Sequence, residues 1–118
     1  MEKSNNFVYH RNEWYWGRTI VIVRADGKGL VKVSINTYDT PDDPECWIES
    51  LQVAADIRKT GAGTELLKEA ERIAKEEGMT EVNLCASLQK QWLIDWYTSK
   101  GYHVVDRDRH EATLFKEL

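Results

Sequence analysis

Cysteine is scarce in this chain, with two in 118 residues, Cys46 and Cys85, and no C-x-x-C spacing. That excludes a disulfide scaffold and reads as two reduced, mostly structural thiols. Histidine is equally sparse: His10, His103 and His110 are scattered without the spacing of metal ligands, so no bound metal is expected. No apolar run approaches the ~18 residues of a membrane span. The first ten residues lack the apolar core of a signal peptide, so a cytoplasmic location and no membrane partner are expected. A basic excess is missing too. Lys and Arg total 16 against 20 Asp and Glu, a net charge of −4, which argues against nucleic acid as a partner. Internal repeats and low-complexity linkers are absent, and the two prolines, Pro41 and Pro44, fall in one loop.

What is present describes one globular domain over 1–118. The composition is 42% hydrophobic and 31% charged, within the ordinary range for folded proteins. A chain of this length buries roughly two-thirds of its unfolded surface, enough for one core without staples.

The segment Phe7 to Trp16 is polar but aromatic-rich. It reads as terminal chain whose aromatics pack onto the core, part of it a short strand. Thr19 to Arg24 and Leu30 to Asn36 are strands joined through Asp26-Gly27, since period-2 alternation around an Asp-Gly turn signals a hairpin. Thr37 to Glu45 is a loop crowded by Asp39, Asp42, Asp43 and Glu45, which reads first as solvated chain and, as the alternative, as a lip that attracts a cationic substrate. Cys46 to Val53 is a third strand. Strict alternation places Trp47, Glu49, Leu51 and Val53 on one face, with Glu49 as a carboxylate among apolar residues. Burial there would raise its pKa and make it a base near neutrality. Gly61 to Glu77 is a helix with Leu66, Leu67, Ala70, Ile73 and Ala74 inward, a Glu71–Lys75 pair outside, and Gly78 as its stop. Thr80 to Ala86 is a strand. A second helix runs from about Ser87, its N-cap, to Lys100, with Trp92, Leu93, Trp96 and Tyr97 as its apolar face. A final hairpin pairs Tyr102–Asp106 with Ala112–Lys116. This order gives an α/β (α+β) fold with a mixed sheet.

The stretch Arg58-Lys59-Thr60-Gly61-Ala62-Gly63 lies between a strand and a helix. Two glycines one residue apart let backbone approach a ligand, and the helix start offers unpaired N–H groups at the positive dipole end. Such a turn takes a phosphate or pyrophosphate. It is not a Walker A loop, because Thr64-Glu65 follows Gly63, nor the dinucleotide fingerprint, because Leu66 occupies the third glycine position.

With its surroundings, the stretch resembles the GNAT superfamily of N-acetyltransferases. The family strand I-E-x-L-x-V appears as Ile48-Glu49-Ser50-Leu51-Gln52-Val53. The turn R-x-x-G-x-G follows as Arg58 to Gly63, and x-x-L-L ends on Leu66-Leu67. A second motif, Y-x-x-x-G-[F/Y], appears as Tyr97 to Tyr102. The resemblance covers about four-fifths of the chain, Thr19 to Phe115.

The resemblance implies a mostly antiparallel sheet with two parallel, splayed strands and flanking helices. It implies acetyl-CoA as co-substrate, its pantetheine arm along Leu51, Gln52 and Val53. Its pyrophosphate would lie on Arg58, Lys59, Thr60, Gly61, Ala62, Gly63 and Thr64. The acceptor would be a primary amine of a small molecule or peptide. Glu49 takes the position of the base that removes the amine proton, and Tyr97 that of the donor to the departing thiolate. The chain departs from the family at Lys90, where an asparagine is usual. It also has only about 18 residues before the hairpin, where a strand and two helices are usual and wall the acceptor pocket. The aromatic segment or a second subunit, as in a homodimer, would replace them. A non-catalytic acyl-CoA-binding module of the same fold, and a phosphate-ligand domain of unrelated chemistry, are the alternatives.

Overall fold

A computed structural model describes residues 6–38 and 42–118. Met1 to Asn5, and Asp39 to Pro41 of the acidic loop, lie outside them. The described chain forms seven strands and two helices. They are β1 Phe7–Trp14, β2 Gly17–Arg24, β3 Gly29–Asn36, β4 Glu45–Val53, α1 Ala62–Glu76, β5 Glu81–Ser87, α2 Gln91–Ser99, β6 His103–Arg107 and β7 Glu111–Glu117. One sheet holds all strands in the order β1-β2-β3-β4-β5-β7-β6. Every neighbouring pair is antiparallel except β4 and β5. This is the expected mixed sheet.

Both helices lie on one side of it. The registers put Tyr9, Ile22, Val31, Val33, Ile48 and Cys46 on that side, and all are buried. Across the parallel pair the same side continues through Val82, Leu84, Ala86, Ala112 and Leu114. The predicted stripe of α1 sits on this surface with Leu66, Leu67, Ala70, Ile73 and Ala74 all buried. Truncating either leucine to alanine costs about 2–5 kcal/mol at such sites. The helix stops through paired bonds, Met79 N–H to Ala74 O and Gly78 N–H to Lys75 O, a Schellman end around Gly78.

The other side of the sheet carries no helix among the described residues. Four aligned rows cross β1 to β4 there: Val8, Val23, Leu30, Gln52; His10, Val21, Lys32, Glu49; Asn12, Thr19, Ser34, Trp47; and Trp14, Gly17, Asn36, Glu45. Most are polar, the pattern of an antiparallel sheet with one solvated face.

Four expectations need correction. The aromatic segment is not a terminal wrap but a full edge strand, β1, of whose aromatics only Phe7 and Tyr9 are buried. It joins β2 directly through Tyr15 and Trp16, so it extends the sheet and cannot wall either face. The usual strand is therefore present, and the two helices that would follow it are not. Second, Ser87 does not cap α2. It ends β5, its Oγ accepts the Gln89 N–H at 3.2 Å, and the helix begins only at Gln91. Third, Trp92 is 67% exposed, and Ile94 joins Tyr97 as the buried face of α2 instead. Fourth, Glu71 does not pair with Lys75. It turns inward, accepts the Tyr102 hydroxyl at 2.7 Å and meets Lys116 Nζ at 3.0 Å, because a buried phenol needs an acceptor.

Candidate functional site

The site begins where β4 leaves β5. The two strands register at a single pair, Trp47 with Asn83, and the Asn83 side-chain amide donates to Cys46 O at 3.3 Å. Three residues beyond Trp47, Ser50 has φ 58, and the β3 pairing jumps from Lys32–Glu49 to Leu30–Gln52. One extra residue in β4 is a β-bulge, which bends the strand and resets its alternation. Past it, β4 has no registered partner on the β5 side. The parallel strands therefore part toward their C-terminal ends, as the splayed pair requires.

The bulge overturns the expected shared face. Before it, Trp47 and Glu49 point to the helix-free side. After it, Leu51 and Val53 point to the helix side, half-buried against the core, while the exposed Gln52 pairs with Leu30. Glu49 is thus not a carboxylate enclosed by apolar side chains. It is 45% exposed, with Oε1 at 4.0 Å from Lys32 Nζ. Burial therefore gives no reason for it to act as a base.

A 3-10 turn, Ala55–Ile57, carries the chain from β4 to the loop, a detail the sequence did not signal. Arg58 is exposed, and its Nε donates back to Val53 O at 3.2 Å. Lys59 has φ 66, Thr60 Oγ1 donates to Ile57 O at 2.5 Å, and Gly61, at φ 91, precedes α1 as its N-cap. The first α1 bond runs from Glu65 N–H to Gly61 O, and no side chain caps the helix. The amides of Ala62, Gly63 and Thr64 are therefore the unpaired donors of a helix start. Arg58 to Thr64 form the turn that leads from the end of β4 into the first turn of α1.

Tyr97 reaches the core from α2. Its ring is 6% exposed and meets Trp96 and Tyr102 edge-on at 5.1 and 5.7 Å. Burial pushes its pKa up to about 12, so the phenol keeps its proton at neutral pH. No hydrogen bond from its hydroxyl is present among the described residues, yet no buried side-chain polar atom there is left unpartnered. The hydroxyl therefore keeps a path to solvent. Lys90 precedes α2 with no side-chain cap bond. Among the described residues no cluster of His, Cys, Asp or Glu could hold a metal. No helix there is long and apolar enough to cross a membrane.

The model of the Acetyltransferase (GNAT) family matches residues 2–102. The chain belongs to the GNAT acetyltransferase family. No curated protein matches it in sequence. Solved structures share the fold at low identity. The PaiA N-acetyltransferase of Thermoplasma acidophilum, solved with coenzyme A, is 22% identical at a TM-score of 0.68, over 85% of this chain and 60% of its own. A GNAT family acetyltransferase of Elizabethkingia anophelis with acetyl-CoA bound is 13% identical at 0.70, over 98% of this chain and 100% of its own. Naa50 of Arabidopsis thaliana, solved with a bisubstrate analogue, is 19% identical at 0.68, over 85% of this chain and 72% of its own. The parting of β4 from β5 is the gap whose absence would have supported a phosphate-binding domain of unrelated chemistry.

Proposed function

We propose that this GNAT domain is an acetyl-CoA-dependent N-acetyltransferase acting on a primary amine of a small molecule or peptide. The observation that carries the reading is the parting of β4 from β5 at Ser50, with the uncapped start of α1 at its open end. Acetyl-CoA bound in two of the similar structures supports it.

In this reading the pyrophosphate lies on the Arg58 to Thr64 turn, and the pantetheine arm runs past Leu51, Gln52 and Val53 into the gap. The amine approaches from the helix-free side, where Glu49, directly or through water, takes its proton. The neutral nitrogen attacks the thioester carbonyl, the new C–N bond forms, the C–S bond breaks, and the nitrogen releases its second proton to water. Tyr97, protonated and on the helix side, supplies a proton or hydrogen bond to the departing sulfur. A base and an acid on opposite sides of one gap do not neutralise each other. A cytoplasmic location, where Cys46 and Cys85 stay as free thiols, belongs to the same reading. So does a homodimer, because a second copy would give the helix-free face another layer.

The runner-up is an acyl-CoA-binding module without turnover. One observation favours it: Lys32 competes for the Glu49 carboxylate at 4.0 Å. Two measurements decide. Saturating acetyl-CoA should raise Tm, since a ligand at a hundred times its Kd stabilises by about 2.7 kcal/mol. An amine panel should provoke CoA release, with Glu49→Gln and Tyr97→Phe each losing ~10²-fold or more in kcat while acetyl-CoA binding stays within a few-fold. No Tm shift at millimolar acetyl-CoA overturns the acetyl-CoA reading. Binding without release across the panel selects the runner-up.

A further inference from the structure

Lys32 enters the proposed chemistry only as a rival for Glu49. The two residues are register partners on β3 and β4, and both point to the helix-free side. Their charged atoms stop 4.0 Å apart, beyond hydrogen-bond reach, and both side chains are partly exposed. Such a pair adds little to stability and opens at little cost. In the four rows that cross this face from β1 to β4, Lys32 is the only lysine or arginine. Past Glu49 the charge changes sign. Across the gap, the carboxylates of Glu111, on β7, and Asp108 act on the Cys85 thiol. The face thus offers a cation on β3 and carboxylates from β4 onward.

We infer that the acceptor is a free α-amino acid, its ammonium on Glu49 and its carboxylate on Lys32. The inference rests on the acetyl-transfer reading above and narrows its acceptor. An ammonium that reaches Glu49 must displace Lys32, and the displaced cation then stands beside it with like charge. An acceptor that carries a carboxylate one carbon from its amine removes that penalty. The lysine swings from one carboxylate to the other, and no charge on this part of the face is left unpaired. Lysine suits the exchange, because its ammonium is a compact charge on a flexible stem. The sheet fixes the orientation. With Lys32 on β3 and the gap beyond β4, the carboxylate points away from the gap and the amine toward the thioester. The reverse orientation would set a carboxylate against Glu49 and toward Glu111 and Asp108. A peptide N-terminus or a polyamine has no carboxylate at the required spacing.

The test is CoA release from acetyl-CoA with matched acceptors: a panel of amino acids, their carboxamides, the amines left when the carboxylate is removed, and a polyamine. The wild type should favour its best amino acid over the matched carboxamide and amine by about tenfold or more in kcat/KM, chiefly through KM. Lys32→Gln should lower kcat/KM for that amino acid about five- to tenfold. The same variant should raise it about two- to threefold for the matched amine, which no longer meets a competing cation. Both effects should shrink at ~0.5 M salt, and Lys32→Arg should keep the amino-acid preference. A wild type that uses the carboxamide, the matched amine or the polyamine as well as the amino acid overturns the inference and leaves acetyl transfer standing. So does an unchanged preference in Lys32→Gln. No CoA release with any amine overturns both. The wild-type comparison decides the question should Lys32→Gln fail to fold.

Discussion

Glu49 and Leu51 are two positions apart on one strand and face opposite sides of the sheet. Ser50, between them at φ 58, is the cause. A left-handed residue that is not glycine costs ~1–2 kcal/mol. Ser50→Gly should therefore leave Tm at or above the wild-type value. Ser50→Val should lower stability by ~1–2 kcal/mol and weaken acetyl-CoA binding, because a β-branched residue favours extended backbone and works against the parting of β4 from β5. Thermal unfolding with and without acetyl-CoA checks both. A stable Ser50→Val protein with unchanged binding would show that the bulge does not shape the gap.

The direct β1–β2 connection depends on Gly17. Its φ is +154, and a Cβ there would lie 1.9 Å from Ile35 O, in the backbone of β3. No side chain can move to relieve that clash. Gly17→Ala should cost 3 kcal/mol or more by the order of core-disrupting substitutions. Gly27→Ala meets nothing within 4 Å and carries only the strain of φ +75, about 1 kcal/mol. Denaturant unfolding of the two variants measures the difference.

Glu77 fastens β1 and β2 to the end of α1. It accepts Arg11 at 2.8 and 2.9 Å and Arg18 at 2.6 Å. The hydrogen bonds from Arg11, aided by those of Arg18 and opposed by burial, hold its pKa below the ordinary 4.5. A carboxyl whose folded pKa is depressed stabilises the fold above its unfolded pKa and loses that contribution as pH falls through the folded value. Glu77→Gln should therefore be less stable than wild type by ~1–3 kcal/mol at pH 7. The gap should begin to close as pH falls below about 4.5 and continue closing through the depressed folded value. Urea unfolding from pH 7 to pH 3 tests the sign.

Most of the fold was legible because periodicity reports burial directly. The α1 stripe, the β2–β3 hairpin and the Gly78 stop all stand as read. Several of the errors needed contacts between distant segments. Nothing near Ser50 in the sequence marks a bulge, since serine is not the residue that positive φ selects. Glu71 looked paired along its own helix because Tyr102 and Lys116, 31 and 45 positions on, are invisible to local spacing. β1 showed weak alternation because beyond Tyr9 both of its faces are exposed. The Arg58 to Thr64 turn was legible because its chemistry is backbone chemistry, local to six or seven residues. The Lys32–Glu49 pair was not, because only the β3–β4 register brings the two together.

The two thiols give a chemical check on which side of the sheet is open. Cys46 is 2% exposed on the helix side, and burial pushes its pKa up to about 12. Cys85 is exposed on the helix-free side, near Thr113, with its pKa also raised by partial burial. The thiolate is the reacting form, so both react slowly at pH 7, but only Cys85 is reached without unfolding. A thiol reagent should label one cysteine in the native protein, faster as pH rises, and two in denaturant. Peptide mapping should place the native label on Cys85. Cys85 lies two residues beyond Asn83 and Glu49 two residues beyond Trp47, so both side chains are on the helix-free side, where the amine is proposed to approach. A bulky label there should depress turnover more than acetyl-CoA binding. Full turnover after complete labelling would move the amine's approach away from this face.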